Sequence, residues 1–299
     1  STNTLKYHRF PTCTFRSGVN SKFKKLPPSK LDIDYFIRLY NILSELNKEA
    51  CEHHKNQLVL EHFKNKDNYK QALESLENNY MVLVHVEGKK GENFTSFEGN
   101  LFKQDLPNTI QRITINNNQF YNHQLGNNPA NWFEIVFDFN KSDIFNFTNS
   151  PSEATYNESS LAVEGQNKTW VKGSYERLLG SLEDSRTNRK FLHSRNLYDL
   201  VLWFFFIPLS FLNLNYFVNK YSESIENLPP IFTVALYIYF FVVLLILFLF
   251  FFNYSRWLFP YTELTSNSNN KSVTQRTIWG IIGLGILGNV ISQILYSFF

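Results

Sequence analysis

The densest group of potential metal-ligating or acid–base side chains in this sequence lies between residues 49 and 62. A metal site on a helix needs His or carboxylate pairs three or four residues apart on one face. Glu49 and His53 have that spacing, as do Cys51 and His54, but the two pairs point in different directions around a helix. We therefore predict a solvated helix end here, with no metal and no catalytic residue. A membrane-surface enzyme that uses the His53/His54/His62 region is the alternative.

The other sequence patterns that carry well-defined chemistry are missing from the chain. Neither the phosphate-binding pattern G-x-x-x-x-G-K-[ST] nor the nucleophile pattern G-x-S-x-G occurs, so we predict no cofactor. The chain has only two cysteines, Cys13 and Cys51, which excludes a disulfide scaffold and a four-cysteine zinc fold. The chemistry expected from this sequence is therefore binding rather than covalent catalysis.

One segment has residue types that suit a binding or coupling role. In AVEGQNKTWVKGSYERLL, Gly165 and Gly173 lie on either side of a polar turn and Trp170. The simpler interpretation is a structural strand, turn and helix with Trp170 in the core. The alternative is an element that couples ligand or partner binding on the sheet to the membrane, because no flexible linker follows it.

The last third of the chain is apolar and must be covered by lipid or protein. Three runs without charge are each long enough to cross a hydrocarbon core of about 30 Å, at about 1.5 Å per residue. They cover residues 200–218, 231–252 and 278–299. We predict that all three are transmembrane helices and that the lipid bilayer is a partner of this protein.

The third run differs from the other two because small and polar residues recur in it at helical spacing. Small residues let helices in lipid approach closely, and polar side chains can hydrogen bond between helices. We expect this face to pack against the other spans or a second copy, and a pore lining is the alternative. The face comprises Gly285, Gly288, Asn289, Ser292 and Gln293.

The charges that flank the apolar runs predict the orientation of the chain. Four cations precede the first run and could contact the membrane surface: Arg186, Arg189, Lys190 and Arg195. Cations also outnumber acids between the second and third runs, and no apolar leader occurs in residues 1–30. Because cytoplasmic loops are rich in Lys and Arg, we expect a cytoplasmic N-terminal domain and a C-terminus on the opposite side.

The hydrophobic periods predict the elements that position these residues. An apolar stripe at spacings of three and four predicts a long helix after Pro28, and Ser29 is its expected N-cap. Apolar and polar side chains alternate, as they do in β-strands, in five segments that a closing helix follows. The segments are 80–88, 94–103, 109–117, 131–140 and 159–165. The expected fold is therefore an α+β cytoplasmic domain with a mainly antiparallel sheet, followed by an all-α membrane domain of three helices.

The predicted organisation of the chain has four parts. They are a basic N-terminal tail (1–30), a soluble α+β domain (31–185), a basic juxtamembrane segment (186–198) and a membrane domain (199–299). Acidic residues outnumber basic ones in the soluble domain, so we expect no nucleic acid partner.

The function expected from this organisation is that of a membrane-anchored binding protein. The cytoplasmic domain would bind a partner or signal and the helices would self-associate, as in a membrane effector or signalling component. An accessory subunit of a larger membrane complex or channel is the second possibility.

Overall fold

The structure is a computed structural model that describes residues 19–58, 66–103, 106–107, 109–145, 152–265 and 274–278. An α+β part with an antiparallel sheet comes first, and a helical part with two long apolar helices follows it. This order confirms the coarse fold class expected from the sequence.

The centre of the α+β part is a six-stranded sheet in which every neighbouring pair is antiparallel. Its spatial order is β1-β7-β6-β5-β3-β4. The strands are β1 (Asn20–Lys25), β3 (Leu83–Gly88), β4 (Asn93–Ser96), β5 (Ile110–Asn116), β6 (Asn131–Asp138) and β7 (Ser160–Gly165).

A second, two-stranded sheet joins the start of the chain to the segment after the second apolar helix. Its strands, β2 (Ser29–Leu31) and β8 (Thr262–Leu264), are parallel to each other. The chain therefore returns to the α+β part after the second apolar helix.

Residues 1–30 were expected to form a basic tail, but the structure places β1 and β2 within or across the end of that range. The side chains of β1 are mostly exposed, and Lys22 and Lys24 pair through their backbone with Val163 and Leu161 of β7. Because an edge strand of this kind is held by backbone hydrogen bonds rather than by side-chain burial, it has no hydrophobic alternation to reveal it.

Two long helices cover one face of the sheet. They are α1 (Ile33–Gln57) and α4 (Lys168–Glu183). The N-cap of α1 is Asp32, whose Oδ1 accepts a hydrogen bond of 2.6 Å from the Tyr35 backbone N–H. Ser29, the expected N-cap, lies in β2 instead. The largest completely buried side chains between helices and sheet include Phe36, Phe133, Phe137, Ile113, Ile135 and Leu161.

Two shorter helices and one 3₁₀ turn complete the α+β part. They are α2 (Lys66–Asn79), α3 (Gln119–Leu125) and the 3₁₀ turn Gly99–Lys103. Helix α3 was not predicted from the sequence, and it ends at Gly126 with φ of 73°. A left-handed residue after a helix is a frequent terminator, and glycine adopts it without a steric penalty.

Among the described residues, two helices are long and apolar enough to cross a membrane, by length and composition. The first apolar helix is Leu197–Lys220 and the second apolar helix is Pro230–Leu258. Only 11% and 6% of their most apolar stretches are buried, whereas a core helix of a soluble protein would be mostly covered. Of the third predicted span, only Ile278 lies among the described residues, at the end of the helical stretch 274–278.

The first apolar helix contains a π-helical turn, Leu202–Phe206, which ends two residues before Pro208. The hydroxyl of Ser210 donates a 2.8 Å hydrogen bond to the carbonyl of Phe206. Proline has no N–H, so its helix normally leaves one carbonyl without a partner, and π turns are one way to adjust the bonding.

The two apolar helices pack against each other through aromatic rings near their α+β end. The ring of Phe206 stacks on Phe248 at 4.5 Å between centroids, and Tyr198 contacts Phe248 and Phe252 at 5.2 and 5.1 Å. These residues form a hydrophobic cluster separate from that of the sheet.

The strand register gives the sheet two ends with different neighbours. At one end, the start of β8 contacts the residues next to β1 and β7: Tyr261 OH donates to the Leu26 carbonyl at 3.0 Å, and the hydroxyls of Ser159 and Thr262 are 3.2 Å apart. We call this the proximal end, since β8 directly follows the second apolar helix. At the distal end, Gly165 is paired with both Asn20 and Asn131.

Candidate functional site

A groove between α1 and α4, with a volume of ≈ 440 Å³, is a candidate binding site in the described part of the chain. Three α1 residues, the N-cap of α4 and residues of α4 as far as Arg177 line it. The lining residues are Leu46, Glu49, His53, Asn167, Thr169, Trp170, Gly173, Ser174 and Arg177. Its volume lies within the range of small-molecule sites in proteins, roughly 300–1,000 Å³.

The start of α4 is positioned by asparagines at the distal end of the sheet. Asn167 is the N-cap, and its Oδ1 accepts a 3.0 Å hydrogen bond from the Trp170 backbone N–H. Its own backbone N–H donates to Asn131 Oδ1 at 3.3 Å, and its amide lies 3.4 Å from His53 Nδ1. This chain of contacts joins β6, α4 and α1 at one corner of the groove.

Gly165 makes the close approach at this corner possible. A Cβ at this position would overlap Asn131 Oδ1 and would lie 3.1 Å from Asn131 Cα. A side chain would therefore displace the Asn131 amide from this corner, and the backbone of β6 would also have to shift slightly. Gly165 thus shapes the corner without lining the groove.

The other two residues of the predicted coupling element, Trp170 and Gly173, lie side by side in the groove wall. Trp170 is buried and packs in the core, as the simpler interpretation expected. Gly173 is exposed, and a Cβ built on it meets nothing within 4 Å. The groove therefore has open space above Gly173.

Two polar side-chain atoms in the groove wall are buried without a hydrogen-bond partner within the described part of the chain. They are Trp170 Nε1 and Ser174 Oγ. Most buried polar groups in proteins are paired, and each unpaired group costs about 1–3 kcal/mol. The wall of the groove therefore holds hydrogen-bonding capacity that this conformation leaves unused.

The rim of the groove carries a network of ion pairs. Arg177 contacts Glu45, and its Nη1 lies 3.6 Å from Glu49 Oε1. All three side chains are substantially exposed, so the pairs contribute about 0–1 kcal/mol each to stability. Two carboxylates share one guanidinium, so this network carries a net negative charge.

The two described histidines of the alternative enzyme site, His53 and His54, are not brought together. His53 faces the groove, whereas His54 packs against Tyr80 and Tyr121, with its Nδ1 3.1 Å from Tyr80 OH. His62 lies outside the described residues. Within the described ranges, no three His, Cys, Asp or Glu side chains are close enough to hold a metal ion. Burial raises the pKa of the Cys51 thiol to about 11, which suppresses its thiolate.

A second polar cluster lies where the apolar helices meet the proximal end, and we call it the collar. Its centre is Glu263 of β8, which is 6% exposed. The two carboxylate oxygens of Glu263 lie 2.7 Å from Arg189 and 2.8 Å from Arg276. The other members of the collar are His193 and Arg256, both buried.

Hydrogen bonds from the collar hold together segments that are far apart in sequence. Arg189 donates to the Pro260 carbonyl at 3.2 Å, and Arg276 donates to the Leu258 carbonyl at 2.9 Å. Arg256, near the end of the second apolar helix, donates to the carbonyls of Leu192, Glu153 and Ser194. The collar therefore ties the second apolar helix to the segment that leads into the first.

Burial and neighbouring cations set the protonation of the collar. Burial lowers the pKa of His193 to about 4; its hydrogen bond to the Phe259 carbonyl opposes this shift, whereas Arg256 and Arg189 add to it. For Glu263, burial alone raises the pKa, but hydrogen bonds and charge from Arg276 and Arg189 outweigh it and leave the pKa below its usual value. At neutral pH the collar thus contains a neutral imidazole and an ionised carboxylate.

The structure divides the predicted membrane-surface cations into two groups. Arg189 is an internal collar residue, bonded to Glu263 and Pro260. The other three, Arg186, Lys190 and Arg195, are exposed. The collar residues His193, Glu263 and Arg276 were not predicted as a site, although a single acid among the cations that flank an apolar helix was a usable signal.

The predicted packing or pore face, from Gly285 to Gln293, lies outside the described residues.

Comparison with known proteins gave no family assignment: no family model, no curated protein and no solved structure matches this chain. The features that bear on its function are therefore the groove, the collar and the apolar helices.

Proposed function

We propose that this chain is a multi-pass membrane protein whose α+β domain binds a partner or signal in the α1–α4 groove. Occupation of the groove is transmitted through α4 and the collar to the membrane helices, in the manner of a signalling or effector component. The observation that carries this proposal is the direct path from groove to membrane helices, through ordered contacts at each step.

The path begins at the C-terminal end of α4. The Ser185 carbonyl accepts a 2.9 Å hydrogen bond from the Lys30 N–H of β2, and the Thr187 N–H donates to the Pro28 carbonyl at 2.9 Å. Arg189 then pairs with Glu263, and the first apolar helix starts at Leu197. A displacement of α4 is therefore resisted by β2 and passed to the collar rather than lost in a loose linker.

The membrane part of the proposal is supported by the exposure of the two apolar helices. The second apolar helix has 29 residues and would be about 44 Å long, more than the roughly 30 Å needed to cross a hydrocarbon core. Large apolar side chains such as Ile231, Ile238 and Tyr239 are between 58% and 77% exposed. Lipid covers such a surface at the lowest cost.

The sidedness is proposed from the flanking charge. The exposed cations Arg186, Lys190 and Arg195 lie next to the first apolar helix, and the positive-inside rule favours the cytoplasm for that side. We therefore propose a cytoplasmic α+β domain, with the C-terminus on the opposite side.

Blocking the groove tests the binding proposal. Gly173→Phe is expected to fill the groove without overpacking, because the space beside Gly173 is open. Gly180→Phe is the matched control, since Gly180 lies on the same helix, is exposed and has equally open space, but does not line the groove. Both variants should fold at least as well as the parent because glycine is a poor helix former.

The measurement is the composition and stoichiometry of the complex purified under native conditions in mild detergent. A bound partner or ligand should be lost, or reduced at least about tenfold, in Gly173→Phe and retained in Gly180→Phe, since tenfold corresponds to about 1.4 kcal/mol of binding. Equal retention of the partner or ligand in both variants would show that the groove is not its binding site. A second chain at fixed stoichiometry in both would favour the accessory-subunit alternative.

Self-association through the third span is the second part of the proposal. Gly288→Leu places a large side chain on the small-residue face and should weaken helix packing in lipid. We expect the oligomer measured by light scattering in detergent to dissociate. Leu287→Ile is the control, because position 287 lies on the opposite side of a helix from the small-residue face, and it should have no effect. A parent protein that is strictly monomeric would contradict this part.

A further inference from the structure

Several loops that carry cations and exposed aromatic rings meet at the proximal end of the sheet. The antiparallel register puts the β3–β4 turn, with Lys89 and Lys90, and the segment after Asp138 at that end. The segment that leads into the first apolar helix adds Lys190 and Phe191. These exposed groups all lie on the side from which the apolar helices leave the domain.

The segment Lys141–Phe145 makes direct contact with the second apolar helix. The ring of Phe145 lies 5.5 Å from that of Phe250, although 71% of Phe145 is exposed. Four residues earlier, Lys141 Nζ lies 5.0 Å from the ring centroid of Trp257. The segment therefore runs alongside the helix, with its cation near the helix end and its apolar ring farther along.

The position of Phe250 sets the depth of this contact. Residues 231–252 form the uncharged run, and Arg256 is the first charge after it. Phe250 precedes Arg256 by six residues, or about 9 Å along the axis. If the helix crosses a bilayer, Phe250 lies within the last turn of the hydrocarbon core and Trp257 lies among the headgroups.

We propose that Lys141–Phe145 is a membrane-inserted loop that contacts anionic phospholipid. Phe145 enters the edge of the acyl region beside Phe250, while Lys141, Lys190 and Arg195 contact headgroup phosphates. Asp143 lies between the two ends of the loop and is exposed, so it faces the aqueous side of the headgroups. This arrangement resembles other interfacial anchors, in which an aromatic ring enters the membrane and cations remain at its surface.

Lipid is favoured over a protein partner because the contact is continuous with the helix surface. Phe145 lies against a helix whose neighbouring Phe251 and Leu247 are 49% and 56% exposed. Whatever covers the second apolar helix at this depth also meets Phe145. The inference therefore rests on the proposed membrane crossing of that helix.

The experiment measures depth in the full-length protein reconstituted in lipid nanodiscs. In a background of Cys13→Ser and Cys51→Ala, a bimane label is placed at Phe145→Cys. The label is quenched in turn by lipids with a doxyl group near the headgroup and near the chain end. Ile238→Cys in the second apolar helix is the membrane control, and Phe97→Cys toward the distal end of the sheet is the aqueous control.

We expect the label at 145 to be quenched at least about threefold more by the shallow doxyl lipid than by the deep one, because the ring enters only the edge of the acyl region. The label at 238 should be quenched by the deep lipid, and the label at 97 by neither. Nanodiscs that contain phosphatidylglycerol should quench position 145 more than pure phosphatidylcholine nanodiscs, and Lys141→Gln should reduce that difference, since Lys190 and Arg195 remain.

The controls separate the possible failures. No quenching at 238 would overturn the proposed membrane crossing itself. Quenching at 238 without quenching at 145 would overturn the loop insertion alone. Excimer or self-quenching at 145 that disappears on dilution with unlabelled protein would assign the surface to a second copy. Equal quenching at position 145 in the two lipid compositions would contradict the proposed contact with anionic headgroups.

Discussion

Replacing Glu263 by glutamine is expected to lower the free energy of unfolding by about 3 kcal/mol. The substitution leaves the Arg189 and Arg276 guanidinium groups in a buried site without their counter-charge. Removing one member of a buried ion pair costs roughly 3–5 kcal/mol because the remaining charge is not solvated. We take the lower limit because the side chains of the two arginines retain 17% and 18% exposure.

Denaturant or thermal unfolding of the full-length protein in detergent measures this loss. Glu183→Gln is the matched control, because Glu183 is exposed at the end of α4 and belongs to the same side of the domain. The control should change the free energy of unfolding by less than about 0.5 kcal/mol.

A triple variant tests whether the loss comes from unpaired charge. Replacing the three charged side chains together, as Arg189→Met, Glu263→Leu and Arg276→Met, should recover part of the stability that Glu263→Gln loses. Apolar replacement of a whole buried ionic cluster is often neutral or stabilising. Wild-type stability in Glu263→Gln would show that the arginines reach water and that the collar is not a closed cluster.

Acidification is expected to destabilise the protein by about 3 kcal/mol through His193 alone, since each pKa unit of difference corresponds to about 1.4 kcal/mol. The pKa of His193 is about 4 in the folded state, against an ordinary value of 6.5, because it is buried. Above pH 6.5 both folded and unfolded states carry a neutral imidazole. Between pH 6.5 and 4 only the unfolded state binds the proton, so stability falls over that range.

Glu263 acts in the same direction at lower pH. Its folded pKa is below its usual value, so the unfolded state binds a proton first as the pH falls. The stability that Glu263 contributes is present above its unfolded pKa and is lost as the pH drops through its folded pKa. The collar is therefore an acid-sensitive part of the structure.

The His193→Gln variant separates the histidine from the general effect of acid. Its amide can donate to the Phe259 carbonyl in place of Nε2, which donates at 2.8 Å, and it does not titrate. The melting temperature of the parent should fall steeply between about pH 6.5 and 4.5, and that of the variant should fall less. His85→Gln is the control, since the His85 side chain is 29% exposed. Parallel pH profiles of the parent and His193→Gln would contradict the buried neutral histidine.

The local sequence pattern was sufficient to predict many elements of the α+β part and the two apolar helices. Strands β3, β5, β6 and β7 lie within the ranges predicted from alternation, and α1 follows its apolar stripe. Trp170 lies in the core, as its apolar helix face indicated. These features depend on residues within one element, so the sequence carries them directly.

The candidate site was only partly visible in the sequence. The segment from Gly165 to Gly173 was recognised, but its partner in the groove, the face of α1 with Leu46, Glu49 and His53, was not. The register that brings Asn131 beside Gly165 depends on the pairing of β6 with β7, and the two residues are far apart in the chain. Such a contact cannot be predicted from the pattern of neighbouring residues.

The sequence by itself determined which part of this chain is polar and which part is apolar enough to cross a membrane, because hydropathy is a property of local composition. Only the tertiary structure placed β1 at the sheet edge, returned β8 to β2 and put Glu263 between Arg189 and Arg276. Backbone pairing and buried charge pairing act between distant segments, so both depend on which segments the fold brings together. The same Arg189 that belongs to the cation-rich segment before the first apolar helix in the sequence is, in the folded chain, the counter-ion of a buried carboxylate.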